Sequence, residues 1–288
     1  MAPTTLPGGT WTLGDLTVTR FGYGAMQLAG PWVMGPPADH DGALAVLREA
    51  VALGITHIDT SAAYGPHVTN RLIREALHSY PESLHVVTKV GADRDQQGGW
   101  PTARDPESLR RQIRENLETL GVQTLDLVNL RLGDAEGPKP GSLAEALETL
   151  VALQQEGVIR HLGLSNVTRE QVAEAQTVAP IVCVQNQYNL AHRGDDDLID
   201  DLASQGVAYV PFFPLGGFTP LQSSALSAVA ERLGATPMGV ALAWLLRRSP
   251  NILLIPGTKS VAHLRENVAG AGLSLSGDDL AELDRIGR

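Results

Sequence analysis

Short apolar runs alternate with longer amphipathic stretches along almost the whole chain of 288 residues. The short runs are typical of buried strands. The longer stretches, with apolar residues three or four positions apart, are typical of helices that bury one face. The pattern therefore predicts eight strand–helix units. Their strands are expected at residues 21–25, 55–58, 84–90, 125–130, 158–162, 181–185, 207–210 and 252–255.

Capping signals mark the beginnings of several of the helices. Asp105 followed by Pro106 combines an N-cap residue with proline at the first helical position. The capping-box spacing, a hydroxyl residue with Glu or Gln three positions later, occurs at Ser142 and again at Thr168. Eight such units in a chain of this length predict an α/β fold, a (β/α)8 TIM barrel. Helices are expected at residues 41–53, 68–79, 196–204, 224–233, 238–248, and from Asp105, Ser142, Thr168 and Ser260.

Two further elements flank these units. A β-hairpin is predicted over residues 11–18, before the first barrel strand, and an extra C-terminal helix over residues 277–286, capped by Ser276. No linker rich in Pro, Gly and Ser divides the chain, so residues 1–288 are expected to form one domain.

The main alternative to the barrel, a doubly wound Rossmann sheet, would need Gly-x-Gly-x-x-Gly after the first strand. Gly22 and Gly24 are followed by Gln27 at the third position, and the barrel is therefore favoured.

Composition excludes several classes of function. The net charge of −10 disfavours binding to a phosphate backbone, which needs a basic surface. A single cysteine, Cys183, excludes an internal disulfide or a cysteine-based zinc site, and its apolar surroundings indicate a buried structural residue. No apolar run approaches the roughly 20 residues of a membrane span, and the first ten residues lack the pattern of a signal peptide. We expect a cytoplasmic protein.

Polar and ionisable residues follow the predicted strands, and the C-terminal ends of the strands form the active-site face of such a barrel. Asp59 and Lys89 end the second and third strands, and Tyr64 comes shortly after Asp59. A carboxylate near a partly desolvated lysine keeps it charged, and a cation beside a phenol makes the phenol a better proton donor. Each residue alone has an ordinary structural explanation, but their joint placement favours an acid catalyst, Tyr64, supported by Asp59 and Lys89.

His57 and Asp59 share one face of a strand and raise the alternative of a metal site in a hydrolase. Such a site normally needs further histidines at other strand ends. His85 begins its strand, and His161 lies inside its own. We therefore expect no metal.

Ordered motifs along essentially the whole chain resemble those of the aldo-keto reductases: Asp59-Thr60-Ser61 with Tyr64-Gly65, Thr88-Lys89, His161-Leu162-Gly163-Leu164-Ser165-Asn166, Gln185-Asn186-Gln187-Tyr188-Asn189 and Ile255-Pro256-Gly257-Thr258. The resemblance implies reduction of a carbonyl by NADPH, giving NADP⁺, with Tyr64 as proton donor. It also implies that Ser165, Asn166 and Gln185 hold the nicotinamide carboxamide and that Phe212 stacks on the nicotinamide ring. Lys259 is expected at the 2′-phosphate. The full set of cofactor-binding residues that the resemblance implies is Gly24, Met26, Ser165, Asn166, Gln185, Phe212, Pro214, Leu215, Gly257, Thr258, Lys259, His263, Glu266 and Asn267.

One position departs from the common pattern of that family. A histidine usually stands five residues after the aspartate near the start of the fourth strand; that aspartate is Asp126, and Arg131 occupies the position. Arginine stays protonated and presents a planar fork of donors, so it can polarise a carbonyl or pair with an anionic oxygen, but cannot shuttle a proton. Gln27, Tyr64 and Arg131 are the expected substrate-binding residues. A salt-bridged, purely structural Arg131 is the alternative.

Arg131 and the segments 24–30, 64–70, 186–193 and 211–218 are similar to a bacterial subgroup that reduces pyridoxal to pyridoxine, which implies a role in vitamin B6 salvage. The alternatives are a family member that acts on another aldehyde or ketone, in secondary metabolism or detoxification, and a non-catalytic NADP-binding partner subunit. The intact Asp59, Tyr64 and Lys89 argue against the last of these. The sequence does not decide between a monomer and a homo-oligomer.

Overall fold

The computed structural model describes residues 5–134, 137–216 and 223–287. A hairpin of two antiparallel strands, β1 and β2, precedes a parallel sheet of seven strands that are bonded in chain order from β3 to β9. The strands are β1 (Thr10–Leu13), β2 (Leu16–Thr19), β3 (Tyr23–Gly24), β4 (His57–Asp59), β5 (His85–Val90), β6 (Leu125–Arg131), β7 (Ile159–Ser165), β8 (Ile181–Gln185) and β9 (Ala208–Tyr209).

The segment predicted as the eighth barrel strand closes the sheet. Ile252 makes a parallel bridge to Tyr209 of β9, and Leu254 makes one to Phe21, just before β3. The backbone N–H of Leu254 donates to the carbonyl of Arg20 at 2.7 Å, and that of Gly22 donates to the carbonyl of Leu254 at 2.8 Å. The predicted (β/α)8 barrel with its N-terminal hairpin is therefore confirmed.

One side chain, that of Arg20, also pairs with the backbone of this eighth segment and of the residues just before it. The Arg20 guanidinium donates to the carbonyl of Ile252 at 3.0 Å and to those of Leu246 and Ser249 at 2.9 and 2.6 Å. A carbonyl paired in this way needs no neighbouring strand.

Helices cover the outside of the barrel, with their buried leucines, isoleucines and valines against the strands. The C-terminal extra helix is present and begins with the predicted Ser276–Asp279 capping box. Within the described residues the helices are α1 (His40–Ala52), α2 (Val68–Leu77), α3 (Pro106–Leu120), α4 (Ala144–Gln155), α5 (Arg169–Val178), α6 (Asp196–Ser204), α7 (Ser224–Arg232), α8 (Pro237–Arg248), α9 (Val261–Ala271) and α10 (Gly277–Leu283).

Two of the other capping predictions are confirmed and one is wrong. Asp105 accepts a hydrogen bond from Ser108 at the start of α3, and Thr168 forms the predicted box with Gln171 on α5. The box predicted at Ser142 is absent. Helix α4 begins one residue later than that box requires, and the Ser142 hydroxyl donates instead to Glu174 of the neighbouring α5.

The hairpin forms the floor of the barrel, at the N-terminal ends of the strands. Its apolar residues Leu13, Leu16 and Val18 pack against side chains that point into the barrel, among them Val87 and Leu127. In the turn, Asp15 accepts hydrogen bonds from Arg160 at 2.6 Å and from His161 at 2.5 Å. These hydrogen bonds hold the pKa of the Asp15 carboxyl well below its usual range.

In the portions of the chain that the structure describes, no helix combines the length and apolar character needed to cross a membrane.

Candidate active site

A cavity of about 340 Å³ opens at the C-terminal ends of the strands, opposite the hairpin. Most of the side chains expected at the site meet there. The expected residues that line it are Gly24, Met26, Gln27, Asp59, Tyr64, Lys89, Arg131, Asn166, Gln185, Phe212, Pro214, Leu215 and Gly257.

Asp59, Lys89 and Gln185 form a buried hydrogen-bonded cluster at the bottom of this cavity. The Lys89 ammonium lies 2.5 Å from one carboxylate oxygen of Asp59, and the Gln185 amide donates to the other oxygen at 2.9 Å. Lys89 also donates to the carbonyl of Thr60 at 3.1 Å. Burial disfavours the charged ammonium, but attraction and hydrogen bonds to Asp59 and Tyr64 outweigh this cost and raise the pKa of Lys89. The cluster therefore keeps a cation at the bottom of the cavity.

Tyr64 lies over this cation, in the turn that joins β4 to α2. Its side chain is 8 % exposed, and the Lys89 ammonium is 5.3 Å from the centre of its ring. The backbone N–H of Tyr64 donates to Ser61, and the Tyr64 carbonyl accepts from Val68 in the first turn of α2. Gly65 allows this tight turn because its φ is +94° and a Cβ there would lie 2.4 Å from Val68. The turn places a phenol beside a fixed cation, an arrangement suited to proton donation.

The register of three neighbouring strands places Arg131, Ser165 and Gln185 side by side at their C-terminal ends. Beside them, Asn166 has a φ of +59°, a region that asparagine tolerates better than most residues. Within the described residues, the Ser165 hydroxyl, the Asn166 carbonyl oxygen and the Gln185 carbonyl oxygen are buried without a hydrogen-bond partner. Buried polar atoms without partners are costly, and three together indicate a ligand with polar groups of its own.

Two amide acceptors and one hydroxyl complement a primary carboxamide. The carboxamide NH₂ has two hydrogens to donate and its oxygen accepts, while a serine hydroxyl donates or accepts as needed. These three side chains therefore fit the group that the resemblance assigned to them.

Phe212 and Arg131 form another part of the cavity wall. The Arg131 guanidinium lies 5.7 Å from the centre of the Phe212 ring and donates to the carbonyl of Asp134 at 3.4 Å. Burial lowers the pKa of Arg131, and attraction to Tyr64 and Asp134 acts in the opposite direction. The guanidinium stays charged, because the pKa of arginine starts far above neutrality. The cavity thus contains two fixed cations, Lys89 and Arg131.

The resemblance assigns the adenosine end of the cofactor to Gly257, Lys259, His263, Glu266 and Asn267. Gly257 lines this cavity, whereas Lys259 precedes α9 and the other three residues lie on that helix, outside the cavity. Lys259, His263 and Glu266 are exposed, whereas Thr258 and Asn267 are buried. Ser260 caps the helix by accepting from the backbone of His263. The N-terminus of a helix and an exposed lysine are both suited to an anionic group.

Sequence reasoning missed Trp100, which lies at the rim of the cavity. Its indole packs edge-on against the Tyr64 ring, with 6.1 Å between ring centres, and the Arg94 guanidinium stacks on it at 4.1 Å. Arg94 also donates to the carbonyl of Trp32, in the loop that follows β3. A tryptophan in the glycine-rich stretch after Lys89 was the available signal, but the spacing of a loop does not tell where its side chain points.

His57, which raised the alternative of a metal site, lies inside the barrel. His57 is buried, and burial lowers its pKa to about 4, so it is a neutral residue packed inside the barrel. The side chains in the described ranges form no cluster that could bind a metal ion. Gly217 and Phe218, the last two residues of the segment 211–218, and residues 135 and 136, between β6 and α4, lie outside the described residues.

Comparison with known proteins agrees with this geometry. Residues 20–288 match the model of the Aldo/keto reductase family. The chain is 61 % identical over 285 residues to pyridoxine 4-dehydrogenase of Escherichia coli K12, covering 98 % of this chain and 100 % of that protein. It is 37 % identical over 281 residues to an uncharacterized oxidoreductase of Schizosaccharomyces pombe, covering 97 % and 90 %. A solved Klebsiella pneumoniae aldo/keto reductase in complex with NADP and acetate is 26 % identical, with a TM-score of 0.78, covering 96 % and 94 %.

Proposed function

The chain belongs to the aldo/keto reductase family, and from this premise we propose that it is an NADPH-dependent reductase that converts pyridoxal to pyridoxine. The assignment of pyridoxal as the substrate rests on the 61 % identity, over nearly the whole of both chains, to pyridoxine 4-dehydrogenase. Vitamin B6 salvage is the corresponding role. The cytoplasmic location stays a prediction, as does the assignment of residues 1–288 to one domain.

The cofactor part of the proposal is supported by the three unpaired buried groups. Ser165, Asn166 and Gln185 would hold the carboxamide of the nicotinamide, and Phe212 would stack on its ring. Bound NADPH supplies the hydride that is added to the carbonyl carbon. Lys259, exposed at the start of α9, would bind the 2′-phosphate, and Lys259→Met should then weaken binding of NADPH but not of NADH.

The protein's own part in the reaction is to hold the carbonyl and to donate a proton to it. Tyr64 would donate its phenolic proton to the carbonyl oxygen, on which negative charge develops. Lys89, held charged by Asp59, would stabilise the phenolate that remains. Arg131, unable to release its own proton at neutral pH, would leave Tyr64 as the acid.

Arg131 would also select the substrate. Pyridoxal carries its aldehyde beside an ionisable phenolic oxygen, and a guanidinium fork can contact two neighbouring oxygens at once. Arg131 lines the cavity, and its contact with Phe212 keeps the guanidinium next to the expected nicotinamide position. The pair of oxygens would distinguish pyridoxal from a simple aldehyde.

The test of the activity is NADPH oxidation against pyridoxal, pyridoxal phosphate, aromatic aldehydes and ketones, repeated with NADH. We expect the highest kcat/KM for pyridoxal with NADPH. A higher value for an unrelated aldehyde or ketone would assign the chain to the alternative, a reductase with another substrate.

The test of Arg131 compares pyridoxal with its 3-deoxy analogue in the wild type and in Arg131→His. The variant has the residue that is usual in the family, so the barrel should fold normally. We expect the wild type to prefer pyridoxal over the analogue and the variant to lose most of that preference. An unchanged preference would contradict the proposed role of Arg131.

A further inference from the structure

A second cavity, which we call the side cavity, lies next to the active-site cavity, between the start of α2, the face of α3 and the loop after β5. Its volume is about 220 Å³. A cavity of this size has room for several water molecules, at roughly 30 Å³ each. Its lining includes the charged and titratable residues His67, Lys89, Asp93, Arg94, Arg111 and Glu115.

The wall between the two cavities is thin. Ala63, Lys89 and Ala92 line both of them. Two of these side chains are single methyl groups, and the third is the ammonium-bearing side chain next to Tyr64. Lys89 therefore lies between a space that holds the reacting groups and a polar space that does not.

A chain of hydrogen-bonded charges connects the side cavity to the surface. The imidazole Nε2 of His67 lies 3.3 Å from the Glu115 carboxylate, which also accepts from Arg111 at 3.0 Å. Arg111 in turn contacts Asp93 at 2.6 Å. The side chains of His67 and Glu115 are 31 % and 27 % exposed, so this pair faces both the solvent and the cavity.

The reaction creates a need for such a connection. Each reduction consumes the Tyr64 proton, which must be replaced from water before the next turnover. Tyr64 itself is nearly buried, and substrate and cofactor would fill the space above it. The side cavity shares only Ala63, Lys89 and Ala92 with the active-site cavity, so bound substrate and cofactor would leave it unfilled.

We propose that the side cavity supplies the replacement proton to Tyr64 through Lys89, and that the His67–Glu115 pair is its entry point. The inference rests on the proposed function only in using Tyr64 as the acid. In the step, a Lys89 N–H bond breaks as the Tyr64 O–H bond re-forms. Water in the side cavity then returns a proton to Lys89, and His67 with Glu115 passes one from bulk solvent to that water. The net change is the uptake of one proton from solvent.

The test removes the titratable imidazole and keeps the backbone. His67 precedes α2 with a φ of +64°, a conformation that asparagine also accepts, so His67→Asn should fold. We expect kcat to fall roughly tenfold, within the range of a lost proton-transfer group, while KM for the carbonyl is unchanged. The solvent deuterium isotope effect on kcat should rise, the effect of deuterated NADPH should shrink, and added imidazole should restore the rate.

A matched control is His40→Asn. His40 also pairs with a carboxylate, Glu75 at 3.1 Å, but lines neither cavity, so the rate and both isotope effects should stay as in the wild type. A second variant, Glu115→Gln, keeps the size of the side chain, removes the carboxylate of the entry pair and lies outside the active-site cavity, so it should also lower kcat and raise the solvent isotope effect.

Unchanged kcat and isotope effects in both His67→Asn and Glu115→Gln would overturn the proposal, as would a slow His67→Asn that imidazole does not rescue. The measurements use whichever carbonyl the wild type reduces best. A failure of pyridoxal as substrate is therefore visible in the wild type alone and is distinct from a failure of the proton route.

Discussion

The two ends of the barrel differ in how their polar groups are paired. At the floor, the charged groups of the hairpin turn are joined, with Asp15 bonded to Arg160 and His161. The mouth is the opposite end, at the C-terminal ends of the strands. There, the oxygens of Ser165, Asn166 and Gln185 are buried without partners in the described residues, beside the active-site cavity. Unpaired buried groups lower the stability of the folded chain. The mouth therefore sacrifices stability for ligand contacts. Near the floor, Trp11 Nε1 and His57 Nδ1 are also buried without partners in the described residues, but they lie outside the active-site cavity, and the exposed ion pairs of the turn add a little stability.

The largest effect is expected at the mouth, from Tyr64→Phe. The ring and its packing on Trp100 are kept, so the temperature of unfolding should stay close to that of the wild type. Loss of the phenolic proton should lower kcat/KM by about 10²- to 10⁴-fold. NADPH oxidation and a thermal melt of the same sample measure both quantities. A variant that keeps the full rate would show that another group donates the proton.

Lys89→Met should be an exception to this contrast between the two ends. It is a change at the mouth, yet it should lower the free energy of unfolding as well as the activity. It leaves the buried Asp59 carboxylate without its cation, at about 3–5 kcal/mol. Urea unfolding of this variant, of Asp59→Asn and of the double variant measures the cost. The double variant should recover part of the lost stability, and additive losses would contradict the pairing.

The same pair predicts the pH dependence of stability. The pKa of Lys89 in the folded protein is raised above its ordinary value of 10.5. Its contribution is therefore fully present below pH 10.5 and is lost as the pH rises through the higher folded value. Unfolding curves above pH 10 should show this loss in the wild type and not in Lys89→Met.

Ser165→Ala should have a smaller effect and should separate ligand binding from stability at the mouth. The Ser165 hydroxyl is buried and has no partner in the described structure, so its removal should leave the free energy of unfolding equal or slightly increased. Binding of NADPH should weaken by about 1 kcal/mol, the value of one hydrogen bond. Calorimetric titration measures the affinity. Thr168→Ala is the control, because that hydroxyl caps α5 and should affect stability and not binding.

The smallest effect is expected at the floor, from Asp15→Asn. The turn is exposed, so losing its ion pairs should lower the unfolding temperature only slightly, with kcat/KM unchanged. The pKa of Asp15 is depressed in the folded protein, so its contribution is present above its ordinary pKa of 3.8 and lost as the pH falls through the folded value. A fall in kcat/KM would contradict the separation of the two ends.

Sequence patterns predict those parts of the molecule that depend on local periodicity and on strand ends. Strand β8 and helix α6 have the predicted bounds, and Asp59 and Lys89 meet because parallel strands end at one face. The Ser142 box is absent: the hydroxyl accepts instead from the backbone of Ala144 and donates to Glu174, a residue distant in sequence that no local pattern indicates. The place of Trp100 over Tyr64 and the side cavity behind Lys89 depend on how loops fold across the barrel, which no local pattern specifies.

The closure of the barrel has a consequence for the order of folding. Arg20 and Ile252 are hydrogen-bonded although they are 232 positions apart. Gly24 and Gly257, which line opposite sides of that seam, both belong to the active-site cavity. During synthesis from the N-terminus, the first strand must therefore wait with one edge unpaired until nearly the whole chain has emerged. Contacts of such long separation form slowly, so activity should be among the last properties that a newly made chain acquires.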